Sequence, residues 1–99
     1  MTIEELISSV SYCDEKGISD IKRAYEYAKE LHKGQYRQSG EEYITHPLNV
    51  AYILSTLHAD SDTIVAGLLH DVIEDTETTK EDISENFNKD VANLVDGVT

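Results

Sequence analysis

Apolar side chains recur every three to four positions along most of the chain, the spacing that places them on one face of an α-helix. They group into six stretches: Ile3, Leu6, Ile7 and Val10; Ile21, Ala24, Tyr25, Ala28, Leu31 and His32; Val50, Ile53, Leu54 and Leu57; Ile64 to Leu69; Ile83 and Phe87; and Val91, Leu94, Val95 and Val98. The sequence has no alternating strand pattern of any length. We therefore predict an all-α fold, a bundle of about six helices joined by short connections.

Polar residues and glycines predict where these helices begin and end. Helix starts are expected at Thr2, Ser19, Asp60 or Ser61, Thr79 and near Asn88. The second helix is predicted to open after Gly17 and to stop at Gly34. The third is predicted to open at His46-Pro47, because proline is well tolerated in the first turn. The fourth is expected to run over roughly residues 61–75.

The charge of the chain limits its partners. Its 99 residues include 8 Lys and Arg against 20 Asp and Glu, a formal net charge of −12. This balance argues against nucleic acid or an anionic membrane as partner, because both bind basic surfaces. The sequence has no apolar run long enough to span a bilayer, and Cys13 is its only cysteine. We expect a cytoplasmic protein with at most one domain.

The segment His70-Asp71-Val72-Ile73-Glu74-Asp75 carries the most chemistry. At about 100° per residue its imidazole and carboxylates would share one side of a helix. Burying them unpaired would cost on the order of several kcal/mol each, whereas a divalent cation would neutralise the acids and bind the imidazole. The segment alone fits both a metal site and a solvated helix end. Acidic residues at a helix C-terminus oppose the macrodipole, which favours the metal site.

Further ligands must come from elsewhere, and His46 is the best candidate. It lies beside Pro47 at the expected start of a helix, in a chain with 4 histidines. Adjacent His and Asp residues suit neighbouring positions of a wide, octahedral-type site. Glu74 and Asp75, one turn further on, would then be free to hold or deprotonate a water molecule.

Three stretches of the chain resemble a known family. Residues 37–47 resemble the signature R-x-S-G-E-P-Y-I-x-H-P, residues 63–76 resemble T-I-x-A-x-L-L-H-D-x-x-E-D-T, and residues 91–99 resemble V-A-x-L-V-x-G-V-T. Their order and spacing identify the chain as a member of the RelA/SpoT-homologue family, in its HD-type hydrolase domain. The resemblance covers most of residues 18–99.

This resemblance implies an all-helical, manganese-dependent enzyme. Its substrates would be ppGpp and pppGpp, from which it would remove the 3′-diphosphate to give pyrophosphate and GDP or GTP. The family pattern implies that His46, His70 and Asp71 bind Mn²⁺.

The same resemblance assigns roles to four other residues. Glu74 and Asp75 would activate the water that attacks the 3′-diphosphate. Arg37 would lie against the guanine base, with Ser39 nearby in the same loop. The attraction between a guanidinium and a purine face makes Arg37 plausible on chemical grounds as well.

The chain departs from the family pattern in two respects. Gln38, Glu42 and Asn88 stand where a basic residue, proline and glycine are common. The family's remaining metal ligand is an aspartate in a later L-A-D-R-x-x-N segment, which these 99 residues do not contain. Asp96 lies in a different motif and is not assigned to the metal.

We therefore expect an incomplete HD hydrolase domain, with a leader helix in residues 1–17 and the HD core in residues 18–99. In the full-length protein a synthetase domain is expected to follow. The 99-residue chain itself is expected to be inactive.

Other functions remain open at this point. The chain could be a non-catalytic regulatory or assembly module, or an HD phosphohydrolase of another nucleotide. Apolar stripes left uncovered on the fourth and sixth helices predict self-association. His32 and His58 lie outside the signature stretches and are expected at the surface or the edge of the core. The tyrosines are expected to serve packing.

Overall fold

The computed structural model describes residues 1–97, which contain seven α-helices. These are α1 Ile3–Ser9, α2 Glu15–Leu31, α3 Thr45–Thr56, α4 Ser61–Leu69, α5 Val72–Asp75, α6 Lys80–Asn86 and α7 Lys89–Gly97. Within residues 1–97 there is no strand, only an isolated antiparallel bridge between Tyr36 and Glu42. The all-α prediction is confirmed. Over the described part of the chain, every helix is too short or too polar to cross a membrane.

Side-chain caps begin several helices where the sequence predicts them. Capping boxes form at both expected pairs, Thr2 with Glu5 and Thr79 with Asp82. Asp60 Oδ1 accepts a hydrogen bond of 2.8 Å from the backbone N–H of Thr63 at the start of α4. Asn88 Oδ1 accepts one of 2.7 Å from the N–H of Val91. Each of these bonds satisfies a backbone donor that has no partner within its own helix.

The predicted start of the second helix is wrong. α2 begins at Glu15 with Asp14 as its N-cap, and the Asp14 carboxylate accepts a bond of 2.7 Å from the N–H of Gly17. Gly17 thus lies in the first turn of the helix rather than before it. A Cβ at Gly17 would be 2.8 Å from Ser61 Cβ. The glycine allows α2 to approach the start of α4 closely, and this contact, rather than a helix boundary, explains its position.

Helix α4 is the centre of the core. It packs against α2, α3 and α7, and its six residues from Ile64 to Leu69 are all buried. Truncating one of the large side chains there to alanine would cost about 2–5 kcal/mol. Because α4 is buried up to its last residue, Leu69, the core fixes the position of His70 and Asp71, which follow it.

The predicted apolar face of α3 is correct only in part, because Val50 and Leu54 are half-buried beside α4 but Ile53 and Leu57 are exposed. Its buried residues are Pro47, Leu48, Ala51 and Ser55. Of the predicted face, Ile53 is 60% exposed and Leu57 is 74% exposed. Apolar residues lie nearly all around this helix, so their spacing does not select one side. The hydroxyl of buried Ser55 donates to the Tyr52 carbonyl at 2.5 Å, which makes its burial tolerable.

An open apolar groove lies between α3, α4 and α7. Its volume is about 300 Å³ and its walls are formed by Val50, Leu54, Thr63, Ala66, Gly67, His70 and Leu94. Leu94, predicted to face inward, is 41% exposed at this groove, whereas Val91 and Val95 are buried as predicted. Val98, also predicted to face inward, lies outside the described residues.

The loop between α2 and α3 folds back on itself. Arg37 N–H donates to the Glu41 carbonyl at 2.8 Å, and Tyr43 N–H donates to the Gln35 carbonyl at 3.0 Å. Gly40 has a φ of +90°, a backbone conformation that favours glycine. Arg37 therefore lies at the turn of the loop, and Tyr43 lies at its base, next to α3.

The predicted fourth helix, residues 61–75, is divided at His70-Asp71. α4 ends at Leu69 and α5 begins at Val72, with Asp71 at φ −95° and ψ −3° between them. The His70 ring bonds to the Gly67 carbonyl and so competes with the backbone ladder. Both residues keep helical backbone angles, with His70 at φ −60° and ψ −30°, so the break ends the regular helix without reversing the chain.

Candidate metal centre

Two imidazoles and one carboxylate converge at the break between α4 and α5. His46, His70 and Asp71 each offer a ligand atom, and these atoms all lie within 4.8 Å of one another. Asp71 Oδ2 is 3.1 Å from His70 Nε2 and 3.7 Å from His46 Nε2. His46 comes from the first turn of α3, so the packing of α3 on α4 brings the two segments together. Neutral imidazole and carboxylate are suitable ligands for a divalent transition metal.

The ring of His70 is oriented by the backbone. Its Nδ1 is 2.6 Å from the carbonyl oxygen of Gly67. A carbonyl can only accept a hydrogen bond, so Nδ1 carries a proton and Nε2 is the nitrogen that faces Asp71. Metal-binding histidines commonly have their second nitrogen bonded in this way, because the bond fixes both tautomer and orientation. This geometry fits a cation rather than a solvated helix end.

His46 is held in the form that a metal needs. Burial, followed by the neighbouring His70, lowers the pKa of His46 below its ordinary value of 6.5. Asp71 has the opposite effect on the same pKa, and Arg37 adds a further lowering. The neutral imidazole is therefore favoured near pH 7, and only the neutral ring can donate a lone pair to a cation.

A tyrosine joins the cluster from the loop. The Tyr43 hydroxyl donates a hydrogen bond of 2.6 Å to Asp71 Oδ2. Burial and the adjacent carboxylates of Asp71 and Asp75 raise the pKa of Tyr43 above its ordinary value of 10.0. The hydroxyl consequently keeps its proton and remains a donor to Asp71.

The residues expected to bind substrate line a cavity that reaches the cluster. This cavity has a volume of about 620 Å³, and its walls are formed by Tyr36, Arg37, Gln38, Ser39, Glu41, Tyr43 and His46. Arg37 and Ser39 are both exposed. One open space thus connects a free guanidinium in the loop with a candidate metal ligand.

Glu74 and Asp75 are the last two residues of α5. Both side chains are exposed, less than two turns beyond Asp71. The backbone carbonyl of Asp75 accepts a bond of 3.2 Å from Gln35 Nε2, which ties this end of α5 to the loop. In addition to burial and the Asp71 carboxylate, the nearby carboxylate of Asp75 raises the pKa of the Tyr43 hydroxyl, so this end of α5 is next to the loop that carries Tyr43.

Sequence reasoning missed two residues near the site. His32, expected at the surface or the edge of the core, is 2% exposed, and its Nε2 has no hydrogen-bond partner among the described residues. Tyr43 was expected to serve packing only. Its position three residues before His46, inside the first signature stretch, was the available signal. His58, by contrast, is exposed as expected.

Comparisons with known proteins agree with this arrangement. A family model described as "HD domain" matches residues 24–99. The chain is 59% identical over 80 residues to the guanosine-3′,5′-bis(diphosphate) 3′-pyrophosphohydrolase of Aquifex aeolicus, covering 81% of this chain and 12% of that protein. It is 47% identical over 98 residues to the bifunctional (p)ppGpp synthase/hydrolase SpoT of Escherichia coli, covering 99% of this chain and 14% of that protein.

A solved structure is similar as well. It is described as a metazoan ortholog of SpoT that hydrolyses ppGpp, and it matches with a TM-score of 0.76 at 37% identity, covering 81% of this chain and 47% of that one. The chain therefore spans only a small part of its curated relatives and about half of this structural neighbour. These matches confirm the resemblance to SpoT-type pyrophosphohydrolases, and the chain belongs to the HD domain family.

Proposed function

We propose that this chain forms the metal-binding part of a hydrolase that removes the 3′-diphosphate of ppGpp and pppGpp. The observation that supports this function is the convergence of His46, His70 and Asp71 within 4.8 Å. The substrate is inferred from the names of the relatives, which are pyrophosphohydrolases of guanosine-3′,5′-bis(diphosphate). Because the chain covers 12–14% of such relatives, the activity is that of the full-length protein.

Manganese is the ion that we propose for this site. The choice of Mn²⁺ rests on the family resemblance, and two imidazole nitrogens with one carboxylate oxygen form a donor set for a divalent cation that leaves positions for oxygen ligands. A further aspartate from beyond residue 99 would complete the set of protein ligands to the metal in the full-length enzyme. When bound, the cation would supply positive charge that offsets a diphosphate and acidifies a water molecule.

Glu74 and Asp75 are proposed to handle the proton of the attacking water. The water oxygen forms a bond to the phosphorus attached to the ribose O3′, and the bond from that phosphorus to O3′ breaks. One carboxylate takes a proton from the water and passes it to the departing O3′, which gives GDP or GTP and free pyrophosphate. Both acids are exposed at the end of α5, so substrate and solvent can reach them.

Arg37 and Ser39 are proposed to bind the nucleotide. This proposal is supported by the cavity that Arg37 and Ser39 line together with His46. A planar guanidinium can stack on a purine face, and this contact is worth about 0.5–2 kcal/mol. The Ser39 hydroxyl adds a donor and an acceptor at the same turn of the loop.

The test is Mn²⁺-dependent release of pyrophosphate from ppGpp by the full-length protein. We expect turnover that EDTA abolishes and Mn²⁺ restores. Release from another nucleotide but not from ppGpp would assign a different substrate. No release from any nucleotide, with metal bound, would indicate a regulatory or assembly module.

The 99-residue chain provides a second comparison. We expect little turnover from it, because the proposed aspartate ligand beyond residue 99 is lacking. Equal activity of the short chain and the full-length protein would contradict that ligand assignment. We also propose that the enzyme is cytoplasmic, in keeping with its single cysteine.

We propose in addition that the 99-residue chain, produced alone, self-associates. The groove between α3, α4 and α7 has apolar walls, and its wall residue Leu94 is 41% exposed. A second copy would cover this apolar groove. Small-angle scattering should show a dimer or larger species, and Leu94→Glu, at the wall of the groove, should reduce it to a monomer. A monomeric wild-type chain would contradict this proposal.

A further inference from the structure

The Tyr43 hydroxyl bonds to the carboxylate oxygen that faces both imidazoles. It donates at 2.6 Å to Asp71 Oδ2, and this atom is also the one that lies 3.1 Å from His70 Nε2 and 3.7 Å from His46 Nε2. A carboxylate can rotate about its Cβ–Cγ bond unless a partner fixes one oxygen. Tyr43 is therefore placed to determine which way the Asp71 carboxylate turns.

The ring of Tyr43 is itself held on two sides. Its centroid lies 4.7 Å from that of His32, which is buried, and 6.0 Å from that of His46. Its backbone N–H donates to the Gln35 carbonyl at 3.0 Å. A ring confined between two other rings, on a fixed backbone, points its hydroxyl in one direction.

Hydrogen bonds through Gln35 connect His32 to the backbone of Asp75. His32 Nδ1 lies 3.2 Å from Gln35 Oε1, and Gln35 Nε2 donates to the Asp75 carbonyl at 3.2 Å. Residues at the end of α2 and in the loop thus hold both Asp71, through Tyr43, and the end of α5. The buried position of His32 has a use in this arrangement, because it supports the ring of Tyr43 from the core.

We propose that Tyr43 is a positioning residue that orients the Asp71 carboxylate towards His46 and His70 and thereby raises the site's affinity for a divalent cation. The inference rests on the proposed function, in which Asp71 is a metal ligand. Tyr43 itself need not touch the metal or the substrate. A tyrosine that served only packing would be replaced by phenylalanine without effect on metal binding, which makes the two roles separable.

Tyr43→Phe removes the hydroxyl and keeps the ring against His32. We expect Mn²⁺ affinity of the full-length protein, measured by electron paramagnetic resonance titration, to fall about 10–100-fold. Hydrolysis should be lost at low Mn²⁺ and recover towards the wild-type kcat at saturating Mn²⁺. A variant that was merely destabilised would not regain activity in this way. The unfolding temperature, measured in parallel, should change by only a few degrees.

The matched control is Tyr12→Phe. Tyr12 also donates a hydrogen bond of 2.6 Å, in its case to the Ala59 carbonyl, remote from the cluster. Its loss should leave Mn²⁺ affinity unchanged. Equal affinity of Tyr43→Phe and wild type, or an equal fall in both variants, would overturn the positioning role.

Variants of the metal ligands distinguish failure of the Tyr43 proposal from failure of the proposed function. If Asp71→Ala and His46→Ala lose Mn²⁺ while Tyr43→Phe does not, the inference fails and the proposed function stands. If Asp71→Ala and His46→Ala bind Mn²⁺ as wild type does, the metal site itself is wrong, and the proposed function fails with it.

Discussion

His46 and Asp71 belong to different segments of the chain, yet His46 Nε2 lies 3.7 Å from Asp71 Oδ2. The first turn of α3 carries the imidazole, and the break after α4 carries the carboxylate. Neither residue could bind a cation alone with useful strength. Their juxtaposition, with His70 beside them, is what makes a hydrolytic metal site a chemical possibility in this chain.

Removing any one of these three groups should abolish tight metal binding. For His46→Ala, His70→Ala or Asp71→Ala, we expect Mn²⁺ affinity to fall by more than about 100-fold, beyond the effect of an outer-shell residue. Titration calorimetry of the full-length variants measures this loss. His58→Ala is the control, because His58 is an exposed histidine outside the cluster. The Mn²⁺ affinity of His58→Ala should equal that of wild type. A fall as large as that of the ligand variants would indicate non-specific metal binding.

The acids of α5 should affect turnover and not metal binding. Glu74→Gln and Asp75→Asn keep the side-chain volume and remove the proton acceptor. We expect kcat for ppGpp hydrolysis to fall by about 10²–10⁴-fold, the usual contribution of a general acid or base. Mn²⁺ affinity should stay within a few-fold of wild type. Glu77 is an exposed acid just after α5, and the control variant Glu77→Gln should retain full activity. Normal turnover in both Glu74→Gln and Asp75→Asn would contradict their role in proton transfer.

Arg37→Ala should weaken substrate binding more than it slows the chemical step. A cation–π contact of about 0.5–2 kcal/mol corresponds to roughly a 2–30-fold increase in KM. The measurement is a comparison of KM and kcat for ppGpp under saturating Mn²⁺. Arg23→Ala is the matched control, because the Arg23 guanidinium lies 4.8 Å from the Phe87 ring centroid on another part of the fold. The Arg23→Ala variant should alter stability and leave KM unchanged. An unchanged KM for Arg37→Ala would contradict the stacking of Arg37 on the guanine base.

Asp60 should contribute stability in a pH-dependent way. Its hydrogen bonds with Thr63 lower the pKa of this carboxyl below its ordinary value of 3.8. A lowered folded-state pKa means that the contribution is complete above the unfolded value and is lost as pH falls through the folded value. Asp60→Ala should therefore cost about 1 kcal/mol near pH 7 and progressively less below pH 4.

Urea denaturation over a range of pH measures this difference. Asp60→Asn keeps an N-cap acceptor without the charge, so its stability should depend less on pH in the acidic range than that of wild type. A constant difference between wild type and Asp60→Ala down to pH 2 would contradict the linkage.

Local signals in the sequence predicted the fold class and most helix starts. Thr2 and Thr79 were identified correctly, and Asp60 was one of two predicted caps with Ser61, because a side-chain cap is a short-range interaction that the sequence displays directly. The start of α2 was misplaced because Gly17 was read as a boundary. Its actual reason is the close approach of Ser61, a contact between residues distant in sequence.

The face of α3 and the break in the fourth predicted helix could not be obtained from periodicity. Ile53 and Leu57 have the correct spacing for a core, but the packing of α4 and α1 on α3 decides that Ala51 and Ser55 are buried instead. The break coincides with the bond between the His70 ring and the Gly67 carbonyl. Asp71 Oδ2 lies 3.1 Å from His70 Nε2 there, a distance that periodicity does not provide.

The candidate ligands were predictable because their residue types carry the chemistry. His46, His70 and Asp71 were selected from the sequence, and the structure brings them together. Tyr43 was not selected, since the aromatic ring of a tyrosine serves packing in most positions. Its bond to Asp71 depends on the fold of the loop, which no local pattern encodes.

The decisive measurement is anomalous diffraction at the manganese absorption edge, from crystals of the full-length protein grown with Mn²⁺. We predict a single strong peak within bonding distance of His46 Nε2, His70 Nε2 and a carboxylate oxygen of Asp71. A map without a peak at these three residues, or with the His46 ring turned away from it, would contradict the metal site and the hydrolase function built on it.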